Sequence, residues 1–102
     1  MRSLLIDDAR EIHATVTARN AEVAKAVLGA MEFDRVYFDH DLGLGKSGYD
    51  VMNWMFQRGI YPPEIQLVTM NPVGRENMER ALRSEGYEKR GGSSWIRGRG
   101  HQ

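Results

Sequence analysis

The stretch Arg35-Val36-Tyr37-Phe38-Asp39-His40-Asp41 decides the reading of this chain. An apolar run suited to a buried strand ends abruptly in an acid, a histidine and a second acid. β-Branched and aromatic residues favour a pleated, buried surface. Strands buried on both faces belong to parallel sheets. The same pattern occurs twice more: Ser3 to Ile6 ends in Asp7-Asp8, and Ile65 to Thr69 leads into Asn71.

Helical periods separate these runs. Asn20 fits as the cap of a helix on which Val23, Val27, Leu28 and Met31 share one face. From Tyr49 to Arg58 the apolar stripe is Val51, Met52, Met55 and Phe56, with Gly59 as the stop. Asn71-Pro72 reads as a helix start with Asn as cap and Pro at the first helical position. Met78, Ala81 and Leu82 give that helix its buried side, and Gly86 ends it. Asp7 to Glu11 reads as a loop, and Ile12, Ala14 and Val16 alternate with His13, Thr15 and Thr17 as in a half-buried strand. Leu42 to Gly48, with Gly43, Gly45 and Gly48, reads as an exposed loop. Strands alternating with helices predict a mainly parallel sheet with helices packed on its faces. Ligands of such sheets bind at the carboxyl ends of the strands. Asp7-Asp8, Asp39-His40-Asp41, and Thr69 with Asn71 therefore meet at one edge.

At 102 residues the chain is expected to form one domain over residues 1–86, followed by a Gly-, Ser- and Arg-rich basic tail over residues 87–102 that reads as disordered. A formal net charge of zero gives no overall field to draw in nucleic acid. The absence of cysteine rules out disulfides and thiolate zinc sites and suits a reducing compartment. No apolar run approaches the roughly 18 residues of a membrane span, and the first residues turn acidic too early for a signal peptide. The expected location is cytoplasmic, without a membrane partner.

Carboxylates brought together repel one another, and the usual remedies are a bound cation or a raised pKa. An all-oxygen set suits Mg²⁺ or Mn²⁺, whose open positions phosphate oxygens commonly fill. Asp7, Asp8 and Asp39 are the candidate ligands. Asp7-Asp8 alone would serve equally well as a turn cap, and Asp39 to Asp41 as a solvated loop. His40 is a candidate general acid or base, or else a charge-paired loop histidine. Thr69, Asn71, Gly74, Arg10 and Arg75 are the candidate phosphate contacts. The helix start after Asn71 supplies free backbone N–H groups, less the one that Pro72 lacks. Asn71 is equally a plain helix cap, and Arg75 equally a solvated side chain. Lys46 could close over a ligand. Trp95, with Arg90, Arg97 and Arg99, could stack on a base if the tail were not simply disordered.

The three strand ends resemble those of response-regulator receiver domains, in which an acidic pair, an aspartate and a Ser/Thr occupy matching places. The gap from Asp8 to Asp39 leaves no room for a full first helix, and Lys89 is a poor counterpart of the receiver lysine. A closer resemblance is to the cyclic-phosphate processing receiver-like domains. It rests on Asp7-Asp8-Ala9-Arg10, Phe38-Asp39-His40-Asp41-Leu42-Gly43, Gly48-Tyr49-Asp50, Asn71-Pro72-Val73-Gly74 and Asn77-Met78, over roughly residues 3 to 83. It implies a small three-layer receiver-like (flavodoxin-like) α/β fold, with the first helix and last β-α unit reduced or missing. Members often carry His-Ser where Val68-Thr69 stands here.

The resemblance implies a metal-dependent phosphoesterase acting on a cyclic phosphate of a nucleotide or RNA end, with Asp39, His40 and Asp41 catalytic. Val68 motivates an alternative, a domain that binds and sequesters a cyclic nucleotide without cleaving it. A third possibility is a phospho-accepting receiver with Asp39 as acceptor. RNA repair, nucleotide signalling and phage defence are all compatible settings.

Overall fold

The computed structural model describes residues 1–43 and 46–98. Along the chain run β1 (Ser3–Ile6), β2 (Val16–Ala18), α1 (Ala21–Ala30), β3 (Arg35–Phe38), α2 (Gly48–Gln57), β4 (Glu64–Leu67), α3 (Pro72–Ser84), β5 (Tyr87–Arg90) and β6 (Ser94–Arg97). The strands form one sheet in the order β2-β1-β3-β4-β6-β5. The first four strands are parallel, as the alternating pattern predicts. β6 runs antiparallel to both β4 and β5.

Each helix starts where its cap is written. The Asn20 side chain accepts the Val23 N–H, Ser47 accepts that of Asp50, and Asn71 accepts that of Gly74, each satisfying a donor that a helix start otherwise leaves open. Val51, Met52, Met55 and Phe56 are the buried face of α2, and Met78 and Leu82 that of α3. α1 differs from expectation. It buries Ala21, Ala24 and Leu28, while Val23 is exposed. Val27 and Met31 are half-buried against the same core, so of the expected face only Val23 is left out.

The missing first helix is as expected. Residues 7–15 form an irregular crossover between β1 and β2, and β2 is shorter than the Ile12–Val16 alternation suggested. The three helices lie side by side, α1 against α2 and α2 against α3, and so form a single layer. The dry core lies between that layer and one face of the sheet: Leu4, Ile6, Val36, Phe38, Ile65, Leu67 and Trp95 point into it. The expected third layer has no helix among the described residues. On the opposite face Arg35 pairs with Glu64 at 3.0 Å, and Glu64 also accepts from Gln66 and from Ser94. This polar network pairs Arg35 with Glu64 where a helix would otherwise have to cover apolar side chains, although Arg35 Nε is buried without a partner among the described residues.

The expectation of a disordered tail from residue 87 is corrected. Residues 87–97 form the β5–β6 hairpin, which adds two strands to the sheet. Trp95 is 1% exposed and packs in the core, with the Arg83 guanidinium over its ring. Tyr87 is buried and donates to the Pro62 carbonyl at 2.6 Å. A basic composition concealed two apolar anchors in alternating strand register. Trp95 is thereby unavailable to stack on a base, and Arg97 lies over the Tyr61 ring and donates to the Glu85 carbonyl. Arg99 lies outside the described residues. No helix among the described residues is long and apolar enough to cross a membrane.

Replacing Trp95 with Ala should cost about 3–5 kcal/mol of unfolding free energy in a denaturant titration. An unchanged midpoint would show the hairpin to be dispensable.

Candidate functional site

Strand register assembles the site. Ile6 is paired with Phe38, and Phe38 with Leu67. The residues that follow, Asp7, Asp39 and Val68-Thr69, therefore leave the sheet side by side at its carboxyl edge. Asp39 N–H bonds to the Ile6 carbonyl at 2.9 Å, and Val68 N–H to the Phe38 carbonyl at 2.9 Å. Among the described residues, Asp7, Asp8 and Asp39 each offer a carboxylate oxygen within 4.8 Å of the others.

The three acids differ in character. Asp7 is 2% exposed. Burial pushes its carboxyl up, but the N–H groups of Ala9 and Arg10 and the Arg10 guanidinium together outweigh that and hold it below the usual range. Asp39 goes the other way. Burial first, then the charge of Asp7, push it up, with Asp41 adding to the effect; the His40 N–H and the Thr69 hydroxyl oppose this and only partly offset it. Asp8 is exposed. The donor set fits a hard divalent cation. It is all carboxylate, it converges from two strand ends, and its central member lacks a counter-charge.

His40 sits beside this group. Its Nδ1 lies 3.1 Å from Asp41 Oδ1 and 3.5 Å from Asn71 Nδ2. The contact to Asp41 is the shorter of the two, and in the tautomer that donates from Nδ1 to Asp41 the ring nitrogen left for a substrate is Nε2. Asp41 is well exposed and stands outside the three-carboxylate group.

The expected phosphate contacts divide. Thr69 is buried beside Asp39, whose ionised form it favours, and its hydroxyl accepts the Asn71 N–H at 3.0 Å. Asn71 caps α3 through Gly74 N–H, and the Asn71 carbonyl takes Arg75 N–H. With Pro72 lacking a donor, Val73 holds the first-turn N–H left over. Arg10 binds Asp7 through Nε. Arg75 is committed to the hairpin and its own helix, donating to Ser93 at 2.9 Å and pairing with Glu79 at 3.6 Å.

Two glycines matter here in a way that spacing alone did not reveal. A Cβ on Gly48 would collide with the Asp39 carbonyl, and one on Gly74 with the His40 ring. The Gly48 N–H bonds to the His40 carbonyl at 2.7 Å. Gly43, between them in sequence, takes a left-handed φ of 73°; Gly45 lies outside the described residues. Lys46 is exposed. Arg19, on no recognisable motif, braces the acidic crossover by donating to the Arg10 carbonyl at 2.8 Å. Two cavities of about 400 and 530 Å³ lie elsewhere, one between α2 and α3 and one beside Phe33 and Ile60. The carboxylate edge is the chemically distinctive place and is open to solvent.

A parallel sheet with acids at the ends of β1 and β3 and a threonine after β4 defines a receiver-type domain. The family model described as the Cyclic-phosphate processing Receiver domain matches residues 2–84, and the chain belongs to that family. No curated protein matches. A solved structure, described as a part of the yeast Spc42 trimeric coiled coil fused to another structure, is similar with a TM-score of 0.60 and 20% identity. The similarity covers 78% of this chain and 60% of that one, and it is a likeness of fold.

Two outcomes follow from the geometry. Asp39 binds its proton more tightly folded than unfolded, so stability falls as pH rises from about 4, the unfolded carboxylate value, through the raised folded one. Asp39→Asn should accordingly unfold at a higher temperature than the native chain at pH 7 in chelator. Its advantage should vanish below about pH 4, and the native chain should gain more on adding Mg²⁺. An Asn variant less stable at pH 7 would contradict the electrostatic account. Gly74→Ala should displace the His40 ring, seen as shifted imidazole resonances, at about 1–3 kcal/mol in stability. Unmoved resonances would refute the packing argument.

Proposed function

We propose that this domain is a metal-dependent phosphoesterase acting on a cyclic phosphate of a nucleotide or RNA end. The observation that carries the reading is the convergence of Asp7, Asp8 and Asp39 beside His40 and the start of α3. Asp7, Asp8 and Asp39 would hold Mg²⁺ or Mn²⁺, which when bound offsets phosphate charge and lowers the pKa of a coordinated water. Membership of a family named for cyclic-phosphate processing supports a phosphate-bearing ligand.

The chain's own groups divide the remaining work. Hydrolysis adds water to phosphorus, breaks one ring P–O bond, and needs a proton delivered to the leaving oxygen as another is lost from the water. His40 Nε2 is the group placed to exchange a proton, while Asp41 fixes the ring's tautomer through Nδ1. Thr69 lies beside Asp39 and favours its ionised form. The free Val73 N–H and the remaining guanidinium nitrogens of Arg10 are the available anion donors.

A second reading, binding without turnover, is favoured by Val68. A half-buried aliphatic stands next to Thr69, where relatives often carry histidine. Incubation with Mg²⁺ or Mn²⁺ and a panel of nucleoside 2′,3′-cyclic phosphates, an RNA with that end, and cyclic mono- and oligonucleotides separates the two by mass spectrometry. Metal-dependent conversion of one compound, reduced at least about a hundredfold by Asp39→Asn, is expected. Ligand recovered intact from denatured protein would establish sequestration instead, and a phosphoryl group retained on the chain would establish a phospho-accepting receiver.

A further inference from the structure

We propose that Met70 and Val73 form the subsite for the nucleobase of the substrate; this rests on reading the adjacent edge as the phosphate site. Large exposed hydrophobic side chains among the described residues are Met1, Val23, Met70 and Val73. Two of the four fall within one four-residue segment, at 87% and 71% exposure. Met70 stands between Thr69, whose hydroxyl favours ionisation of Asp39, and Asn71, whose amide faces His40. Val73 precedes Gly74, against which the His40 ring packs. Pro72, between them in sequence, is also exposed.

The choice of residues at this helix start is informative. α1 and α2 carry an acid in the first turn, Glu22 and Asp50, whereas α3 carries none. An acid there would favour the helix dipole but repel a phosphate. A valine in its place has no advantage for the helix. The combination suits a ligand whose anionic part meets the first turn and whose other part is flat and apolar. In a nucleoside cyclic phosphate the base lies one sugar ring from the phosphate, so a base contact is sought within a few residues of the phosphate contact. A flexible thioether and a branched aliphatic offer an aromatic ring a polarizable face. The ledge is open and two side chains wide, too small to bury an acyl chain.

The subsite therefore distinguishes base-bearing cyclic phosphates from base-free ones. The test uses the full chain with Mg²⁺, adenosine 2′,3′-cyclic phosphate and glycerol 1,2-cyclic phosphate, followed by NMR of methionine methyl groups and backbone amides. Both ligands should shift the Gly74 amide, and only the nucleotide should shift the Met70 methyl. Met70→Ser should weaken the nucleotide roughly three- to tenfold and leave the base-free compound unchanged. Equal shifts at Gly74 with a silent Met70, and no loss in the Met70 variant, would overturn the base subsite while leaving the phosphate reading intact. No shift at Gly74 with either ligand would remove the phosphate reading and the base subsite with it.

Discussion

The approach of two like charges organises this molecule. Parallel pairing of Ile6 with Phe38 obliges Asp7 and Asp39 to emerge at adjacent strand ends, and Asp8 joins them within 4.8 Å. The fold does not relieve this repulsion evenly. Asp7 takes two backbone N–H groups and the Arg10 guanidinium, while Asp39 is left with one N–H and a hydroxyl against burial and its neighbours' charge. One acid is thus held ionised, and the other holds its proton more tightly than usual. The crossover after β1 serves this division, since Arg10 and the Arg19 brace both act there.

Close approach is the second constraint, and it depends on the first. The Asp39–His40–Asp41 segment must turn sharply away from the sheet without carrying its charges into the core. It does so by lying directly against two helix starts. Gly48 allows α2 to touch the Asp39 carbonyl, and Gly74 allows α3 to receive the His40 ring. The two helix starts are therefore part of the site's geometry, and the dense core beneath them, from Val51 and Met52 to Met78 and Leu82, fixes where they stand. A core this tightly packed transmits small displacements, so changes in the helices should be felt at the edge.

Much of this was legible in residue order. The three strand-end clusters, the caps at Asn20 and Asn71 and the stripe of α2 all follow from local chemistry that tertiary structure did not override. What was not legible depended on contacts distant in sequence. Whether Thr69 faces a ligand or Asp39, and whether Arg75 faces an anion or Ser93, are decided by neighbours 18 or more residues away. The hairpin was misread for a compositional reason. Glycines, serines and arginines outweigh Tyr87 and Trp95 in number, yet those two aromatics supply the burial that orders residues 87–97. The helix missing after β1 could be inferred from a short gap; the polar sheet face that accompanies the missing layer could not.

The hairpin also bears on how this domain relates to receivers that accept phosphate. β6 is antiparallel to β4, and β5 antiparallel to β6, so β5 runs parallel to β4 but one strand further out. A lysine near the end of β5 is thereby displaced from the acidic edge by the width of a strand, about 4.8 Å. Lys89 occupies that position and is engaged with Glu79 at 3.7 Å. Beside β4 stand Ser93 and Ser94 instead, and Ser93 holds Arg75. The cation that would balance a phosphoryl group on Asp39 has been exchanged for a hydroxyl-bearing turn, while Asp8, Asp41 and His40 remain. That exchange supports the proposed reading, a cation and a phosphate ester at this edge, over a phosphoryl group carried on Asp39 itself.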